Sequence, residues 1–186
     1  HYDFMPHIKA AMVFFAMTVA TTVYTNLDTV MLGFMSGNAE VGYYNAAVKV
    51  KQILVSLVTS LGAVLLPRLS YYVQSDRREQ FYRVVVKAMR IVFFLAIPLM
   101  VFFMMFAEEV ILILSGEAYL AAVQPMQIIM PTHLFIGITN LLGLQIMVPM
   151  GQERLVVISV VAGAILDLIL NAVLIAGYGA SGAAIG

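Results

Sequence analysis

The chain has 186 residues, of which 62% are hydrophobic and 11% are charged, with ten basic side chains balanced by ten acidic ones. A soluble globular domain carries about 25% charged residues, so the composition excludes that class. The absence of a basic excess excludes a nucleic-acid-binding protein, and the absence of cysteine excludes a disulfide framework and a thiolate metal site. The composition is therefore that of an integral membrane protein.

Five stretches are long and apolar enough to cross a bilayer, which requires about 20 mostly apolar residues in a helix. They cover residues 7–35, 41–66, 84–106, 125–150 and 155–177. Transmembrane β-strands are about half as long and alternate strictly between polar and apolar residues, which these stretches do not. The sequence predicts an all-α polytopic membrane bundle of about five transmembrane helices. The segment 108–122, acidic at its start and apolar afterwards, predicts a short helix at the membrane surface.

Both ends of the chain suggest that it is part of something longer. It begins with His1, and residues 177–186 (GYGASGAAIG) are typical of a turn that leads into another hydrophobic element. We expect residues 1–186 to form a single membrane domain within a longer protein.

The basic residues indicate the orientation, because Lys and Arg concentrate in short cytoplasmic loops. Eight of the ten lie in the connections or near the span ends on one side, and only Lys49 and Lys51 lie well within a span. The eight are Lys9, Arg68, Arg77, Arg78, Arg83, Lys87, Arg90 and Arg154. The opposite loops contain Glu40, Glu108, Glu109 and Glu117 but no basic residue. The first span is therefore predicted to start in the cytoplasm. Since the chain has no tryptophan, tyrosines would form any aromatic belt, with Tyr43 and Tyr44 at the outer edge.

Four of the five spans carry polar residues mostly at steps of three and four, which places them on one helical face. The stripes comprise Thr18, Thr21, Thr22, Thr25, Asn26, Asp28 and Thr29; Asn45, Lys49, Gln52, Ser56, Thr59 and Ser60; Thr132, His133, Gly137, Asn140 and Gln145; and Ser159, Gly163, Asp167 and Asn171. Residues 91–106 of the third span carry no polar side chain, which suits a lipid-facing helix kinked at Pro98.

The charged residues within the spans favour a polar interior that could carry a polar solute. A charge at mid-bilayer costs at least about 2.5–3.5 kcal/mol, so Asp28, Lys49 and Asp167 are expected to face inward, although Asp28 could instead lie near the outer interface. Lys51 is a further candidate, although its long side chain could instead reach the membrane surface. Two alternatives stay open: the hydroxyl and amide groups could simply hydrogen-bond between helices, and His133 could be a packing residue.

Five segments, taken in order, resemble one family. They are LDTVMLGFMSGNAEVGYYNAAVKV at 27–50, LLPRLS at 65–70, LSGEAYLAA at 114–122, GQERL at 151–155 and NAVLIAGYGASGAAIG at 171–186. In these segments the chain resembles the second half of the polysaccharide flippases, of the O-antigen and teichoic-acid type, in the multidrug/oligosaccharidyl-lipid/polysaccharide exporter superfamily.

The resemblance implies a two-lobed transporter of twelve to fourteen helices, of which this chain would supply spans seven to eleven in the C-terminal lobe. Such proteins work by alternating access in the cytoplasmic membrane, are not enzymes and use no cofactor. They carry oligosaccharide repeat units linked to polyprenyl pyrophosphate to the outer face. Their partners would be this lipid-linked oligosaccharide, membrane lipid, and a polysaccharide polymerase and glycosyltransferases of the same pathway, but no nucleic acid.

The resemblance also implies roles for particular residues. Lys49, Lys51 and Arg68 would attract the diphosphate, and Asn45 and Thr25 would bind sugar hydroxyls. Asp28 corresponds to the aspartate of the family's first C-lobe helix, and with Asp167 it is a candidate for ion coupling. Asp167 departs from the family pattern, in which a neutral polar residue is expected.

Two other functions compete with this one. A drug or organic-cation antiporter of the same superfamily would use the two aspartates to bind a cation, but the neighbouring lysines would repel it. A membrane-embedded glycan-assembly transferase would need a catalytic base on an outer loop, and the outer loops are short and contain no basic residue.

Overall fold

In a computed structural model, the structure describes residues 26–186, and its regular elements in that range are all helical. They are α1 (26–35), α2 (Asn38–Thr59), α3 (Leu61–Gln74), α4 (Arg78–Met105), α5 (Ala107–Ser115), a 3₁₀-helix (Glu117–Ala122), α6 (Val123–Asn140), a π-helix (Leu141–Met147) and α7 (Glu153–Ile185). The predicted all-α class is confirmed.

Four helical stretches within residues 26–186 are long and apolar enough to cross a membrane: Asn38–Gln74, Arg78–Met105, Glu117–Met147 and Arg154–Ile185. They contain or closely match the second to fifth predicted spans, which are thereby confirmed. Most of the first predicted span, residues 7–25, lies outside the described residues. The predicted surface segment, residues 108–122, forms α5 and the 3₁₀-helix.

Helix α6 lies at the centre of the bundle and packs against α2, α4 and α7. Its apolar residues point in all directions, as expected for a helix surrounded by others. Gly137 lets two neighbours approach closely, because a Cβ atom there would overlap Val58 of α2 and crowd Val92 of α4.

The buried face of α2 follows the helical period through Tyr44, Ala47, Val50, Leu54 and Val58. Val58 packs in a second apolar cluster with Ala88, Val92, Ala96 and Leu141, whereas the others belong to the larger cluster of the bundle. One helix thus connects both parts of the core.

Between α2 and α3 the helix is interrupted at Ser60, next to three hydroxyl groups that bond to their own helix. Ser56 donates to the carbonyl of Ile53, Thr59 to that of Val55 and Ser60 to that of Leu57. Such bonds compete with the backbone ladder and bend helices. Their single donor hydrogens are thus used within their own helix.

Helix α4 is the predicted lipid-facing helix, and it combines two faces. Ala88, Val92 and Ala96 are buried, whereas Phe94 is 78% and Phe102 50% exposed. The small buried residues let α6 approach, and the aromatic face suits contact with lipid. The expectation of a helix turned wholly to lipid therefore holds for one face only.

The chain reverses direction within α7, at Gly179. The backbone there has φ +53° and ψ −129°, a left-handed conformation that favours glycine. A Cβ atom on Gly182 would overlap the backbone of Leu174, so residues 180–185 run back along the preceding turns. This reversal is the turn predicted for residues 177–186.

Candidate functional site

Four polar side chains from α1, α2 and α7 form one hydrogen-bonded cluster within the spans. The hydroxyl of Tyr44 donates to Asp28 Oδ2 at 2.7 Å. The amide of Asn171 donates to Asp28 Oδ1 at 2.8 Å and to Asp167 Oδ1 at 3.3 Å. Through the amide of Asn171, the carboxylates of Asp28 and Asp167 share one donor. We call these four residues the carboxylate cluster.

Contacts at the turn between α1 and α2 hold together the three helices that carry the carboxylate cluster. Gly37, at φ +91°, closes the turn between α1 and α2, which places Tyr44 beside Asp28. Ser36 donates to the carbonyl of Ile175, and Glu40 accepts a hydrogen bond from the backbone N–H of Ala180 at 2.7 Å. These contacts, four and nine residues after Asn171 in the sequence, fix α7 against the α1–α2 turn.

Lys51 lies near the carboxylate cluster and interacts electrostatically with Asp28 and Asp167. In the described part of the chain, no carboxylate oxygen lies within 4.0 Å of its ammonium group. Asp28 and Asp167 thus have one cation between them, and it lies beyond ion-pair distance. Because a buried charge without a close partner costs free energy, the cluster is left with uncompensated negative charge.

A proton or a cation with oxygen ligands would compensate the remaining negative charge. The Oδ1 atom of Asn171, which is fully buried, makes no hydrogen bond within residues 26–186 and so adds an unused acceptor. Within the same residues there is no group of three or more His, Cys, Asp or Glu side chains that would hold a metal ion by themselves.

A second polar feature is a cavity of about 590 Å³ between α2 and the segment formed by α5 and the 3₁₀-helix. Asn45 and Lys49 line it from α2, and Ser115 and Tyr119 line it from the opposite side. The ring of Tyr119 also meets Tyr43 edge-on, with 5.9 Å between centroids. We call this cavity the outer groove; it offers one cation, two hydroxyls and an amide beside apolar walls.

The predicted substrate residues do not form one group. Lys49 and Lys51 are two positions apart, which on an α-helix is roughly 200°, so they face nearly opposite sides of α2. Lys49 lines the outer groove with Asn45, and Lys51 faces the carboxylate cluster. Arg68 lines a different cavity between α3 and α4. Thr25 lies outside the described residues.

The residues of the predicted polar stripes also do not share one interior; they lie in different surroundings. Thr132 donates to the carbonyl of Ile129 in its own helix, and Gln52 and Ser56 are exposed. His133 is fully buried, and its two ring nitrogens lie 2.6 Å from the carbonyl oxygen of Met130 and 3.0 Å from that of Ala96. These contacts support the interpretation of His133 as a packing residue that joins α6 to α4.

Sequence reasoning missed one member of the carboxylate cluster. Tyr44 was predicted to belong to an aromatic belt at the membrane surface, but it is only 3% exposed and is bonded to Asp28. Its position on the buried stripe of α2, three residues before Ala47 and six before Val50, was the signal that could have placed it inside.

A sequence profile of the family described as "Polysaccharide biosynthesis protein" matches residues 3–124, about two thirds of the chain. The chain belongs to this family. Together with the four helices that can cross a membrane, this makes it a multi-pass membrane protein of the polysaccharide biosynthesis family.

Three curated relatives of the chain have transporter or flippase names. The chain is 26% identical over 175 residues to a putative O-antigen transporter of Shigella dysenteriae. This alignment covers 94% of the chain and 43% of the relative. The chain is 23% identical to the probable low-salt glycan biosynthesis flippase Agl15 of Haloferax volcanii, over 87% of this chain and 34% of the relative. The chain is also 26% identical to a putative O-antigen transporter of Escherichia coli, in an alignment that covers 84% of this chain and 37% of the relative.

The chain thus spans less than half the length of each of these relatives. Their names are those of transporters and flippases, not of enzymes. No solved structure matches the chain significantly.

Proposed function

We propose that the full-length protein is a flippase of cell-surface polysaccharide biosynthesis that moves polyprenyl-pyrophosphate-linked oligosaccharide across the cytoplasmic membrane. The observation that carries this proposal is the family match over residues 3–124 of a bundle with four helices that can cross a membrane. The relatives named O-antigen transporter and glycan biosynthesis flippase support the same substrate class. In this proposal, residues 1–186 belong to the C-terminal lobe of a two-lobed carrier that works by alternating access.

The outer groove is the proposed contact surface for the polar part of the substrate. Lys49 supplies a point charge for a phosphate oxygen, and Asn45, Ser115 and Tyr119 supply hydrogen-bonding groups for sugar hydroxyls. Lys51 would act indirectly, by balancing the carboxylate cluster. Arg68 lies in another cavity and is not part of the outer groove.

The carboxylate cluster is the proposed site of ion coupling. Binding of a proton or a monovalent cation would neutralise Asp28 or Asp167 and so change the interactions that hold α1, α2 and α7 together. Because an ion shifts a conformational equilibrium only by its difference in affinity between states, the cluster must differ between the inward-open and outward-open forms.

The test is rescue of polysaccharide export in a flippase-deficient strain by the full-length protein. Lys49→Ala should abolish or strongly reduce export without lowering the amount of protein in the membrane. Gln52→Ala is the matched control, since Gln52 is an exposed polar residue of the same helix that does not line the outer groove. Normal export by Lys49→Ala would remove Lys49 from the proposal.

Ion coupling is tested separately with Asp28→Asn and Asp167→Asn. Transport into inverted vesicles by the wild type should respond to a sodium or proton gradient, whereas either variant should lose that response. If both variants keep the gradient dependence of the wild type, the cluster is structural only. An antiporter would instead export toxic cations, and none of the observations favours that function or a transferase over the flippase.

A further inference from the structure

Residues 61–68 of α3 and 83–91 of α4 enclose a cavity of about 350 Å³ that belongs to neither polar feature described above. Its lining includes Arg68 from α3 and Arg83 and Lys87 from α4, and the remaining walls are aliphatic. It shares no lining residue with the outer groove. We call it the basic cavity.

Charge and hydropathy are separated along the basic cavity. On α3 the lining begins at Leu61 and ends at Arg68, roughly 10 Å further along the helix. On α4, which runs antiparallel to α3, the lining begins at Arg83 and ends at Ile91, roughly 12 Å further along the helix. Arg68 and Arg83 therefore lie at the end near the α3–α4 turn, and Lys87 lies about one helical turn further along α4. The aliphatic walls extend from these cations towards the middle of the spans.

The cations of the basic cavity are mostly uncompensated. Arg83 forms an ion pair with Glu79 at 2.6 Å. Arg68 donates instead to the hydroxyl of Tyr72 at 3.0 Å, and within residues 26–186 neither Arg68 nor Lys87 has an acidic partner within 4.0 Å. Three positive charges thus face one carboxylate, which leaves the cavity complementary to an anion.

We infer that the basic cavity binds the phosphate headgroup of an anionic phospholipid, with the start of an acyl chain along the aliphatic walls between α3 and α4. Guanidinium and ammonium groups form charge-assisted hydrogen bonds to phosphate oxygens, and basic pockets between transmembrane helices recognise anionic headgroups. The lining consists of cationic and aliphatic side chains without an amide or hydroxyl group for a sugar, which favours a bilayer phospholipid over the glycan carrier. The site does not depend on the proposed transport activity.

The test is titration of the purified full-length protein with phosphatidylglycerol and phosphatidylcholine, read out by native mass spectrometry. The wild type should prefer phosphatidylglycerol. Arg83→Gln/Lys87→Gln should bind it at least tenfold more weakly, and Lys87→Arg should stay close to the wild type. Glu79→Gln should bind it more tightly, because Arg83 then loses its competing carboxylate.

The matched control is Arg90→Gln, since Arg90 is an exposed cation of the same helix outside the cavity lining. It should stay within twofold of the wild type. An equal loss in Arg90→Gln, or equal binding of phosphatidylcholine by the wild type, would show nonspecific attraction and overturn the inference. Displacement of phosphatidylglycerol by an equimolar polyprenyl phosphate would overturn the assignment of the occupant. Since Arg83 and Lys87 are exposed, their variants should keep the thermal midpoint of the wild type.

Discussion

At the scale of single residues, Asn171 is the centre of the carboxylate cluster. Its side-chain amide donates to both Asp28 and Asp167, and the residue is fully buried. Within the described part of the chain it is the one side chain that donates to both carboxylates, and through Asp28 it links α7 to α1. Removing this amide leaves two adjacent carboxylates without their shared donor.

We expect Asn171→Ala to destabilise the protein by about 1–3 kcal/mol, because buried polar groups lose their hydrogen bonds. The measurement is the free energy of unfolding in detergent. Ser159→Ala is the control, since Ser159 is an exposed polar residue of the same helix and should change stability by less than about 0.5 kcal/mol. Equal stability of the two variants would mean that the cluster does not hold α7 in place.

Tyr44 and Tyr43 offer a matched pair for the same cluster. Tyr44→Phe removes the hydroxyl that donates to Asp28 at 2.7 Å and should cost about 1–2 kcal/mol. Tyr43→Phe keeps the ring, which packs against the larger apolar cluster and meets Tyr119 edge-on, and removes only a hydroxyl outside the carboxylate cluster. This variant should be nearly neutral. The reverse order of the two effects in thermal unfolding would contradict the described contacts.

At the scale of elements, the reversal of α7 depends on close backbone packing. A Cβ atom on Gly182 would overlap the backbone of Leu174, which cannot be relieved by rotating a side chain. A Cβ atom on Gly177, by contrast, would extend into open space, with no neighbouring element within 4 Å. Close packing therefore requires glycine at position 182 but not at position 177, five residues earlier.

We expect Gly182→Ala to destabilise the protein by about 1–3 kcal/mol through overpacking. Gly177→Ala should be neutral or stabilising by up to about 1 kcal/mol, since alanine favours a helix over glycine. Chemical unfolding of both variants tests this. If Gly182→Ala is as stable as the wild type, residues 180–185 do not pack against the preceding turns.

Helical spans were predictable at this scale because length and hydropathy decide them, and residues 84–106 and 155–177 closely match single helices of the structure. The arrangement of polar residues was less predictable. A stripe at steps of three and four fixes a face but not what that face meets, so Lys49 and Lys51 were grouped although they face different surroundings. The hydroxyls of Ser56 and Thr59 bond within their own helix, which no spacing distinguishes from an interhelical contact.

At the scale of the whole molecule, the helices alternate in direction and divide the loops into two sets. The turn at residues 36–37 and the link between α5 and the 3₁₀-helix lie at one end, whereas the turns at residues 75–77 and 148–152 lie at the other. The second end carries the basic residues and the first carries the acidic ones. The fold thus matches the charge asymmetry from which the orientation was predicted, with the basic end in the cytoplasm.

The absence of cysteine from residues 1–186 makes this orientation directly testable, because an introduced cysteine is the only thiol in this part of the protein. Ser75 and Glu117 are exposed and lie at opposite ends of the bundle. In intact cells, a membrane-impermeant maleimide should label Glu117→Cys and leave Ser75→Cys unlabelled, and permeabilisation should make Ser75→Cys reactive. If only Ser75→Cys were labelled in intact cells, the orientation would be the opposite of the predicted one, and the basic cavity would face the outer leaflet. Because the phospholipid inference concerns only the chemistry of the cavity, its binding test would be unchanged by that result.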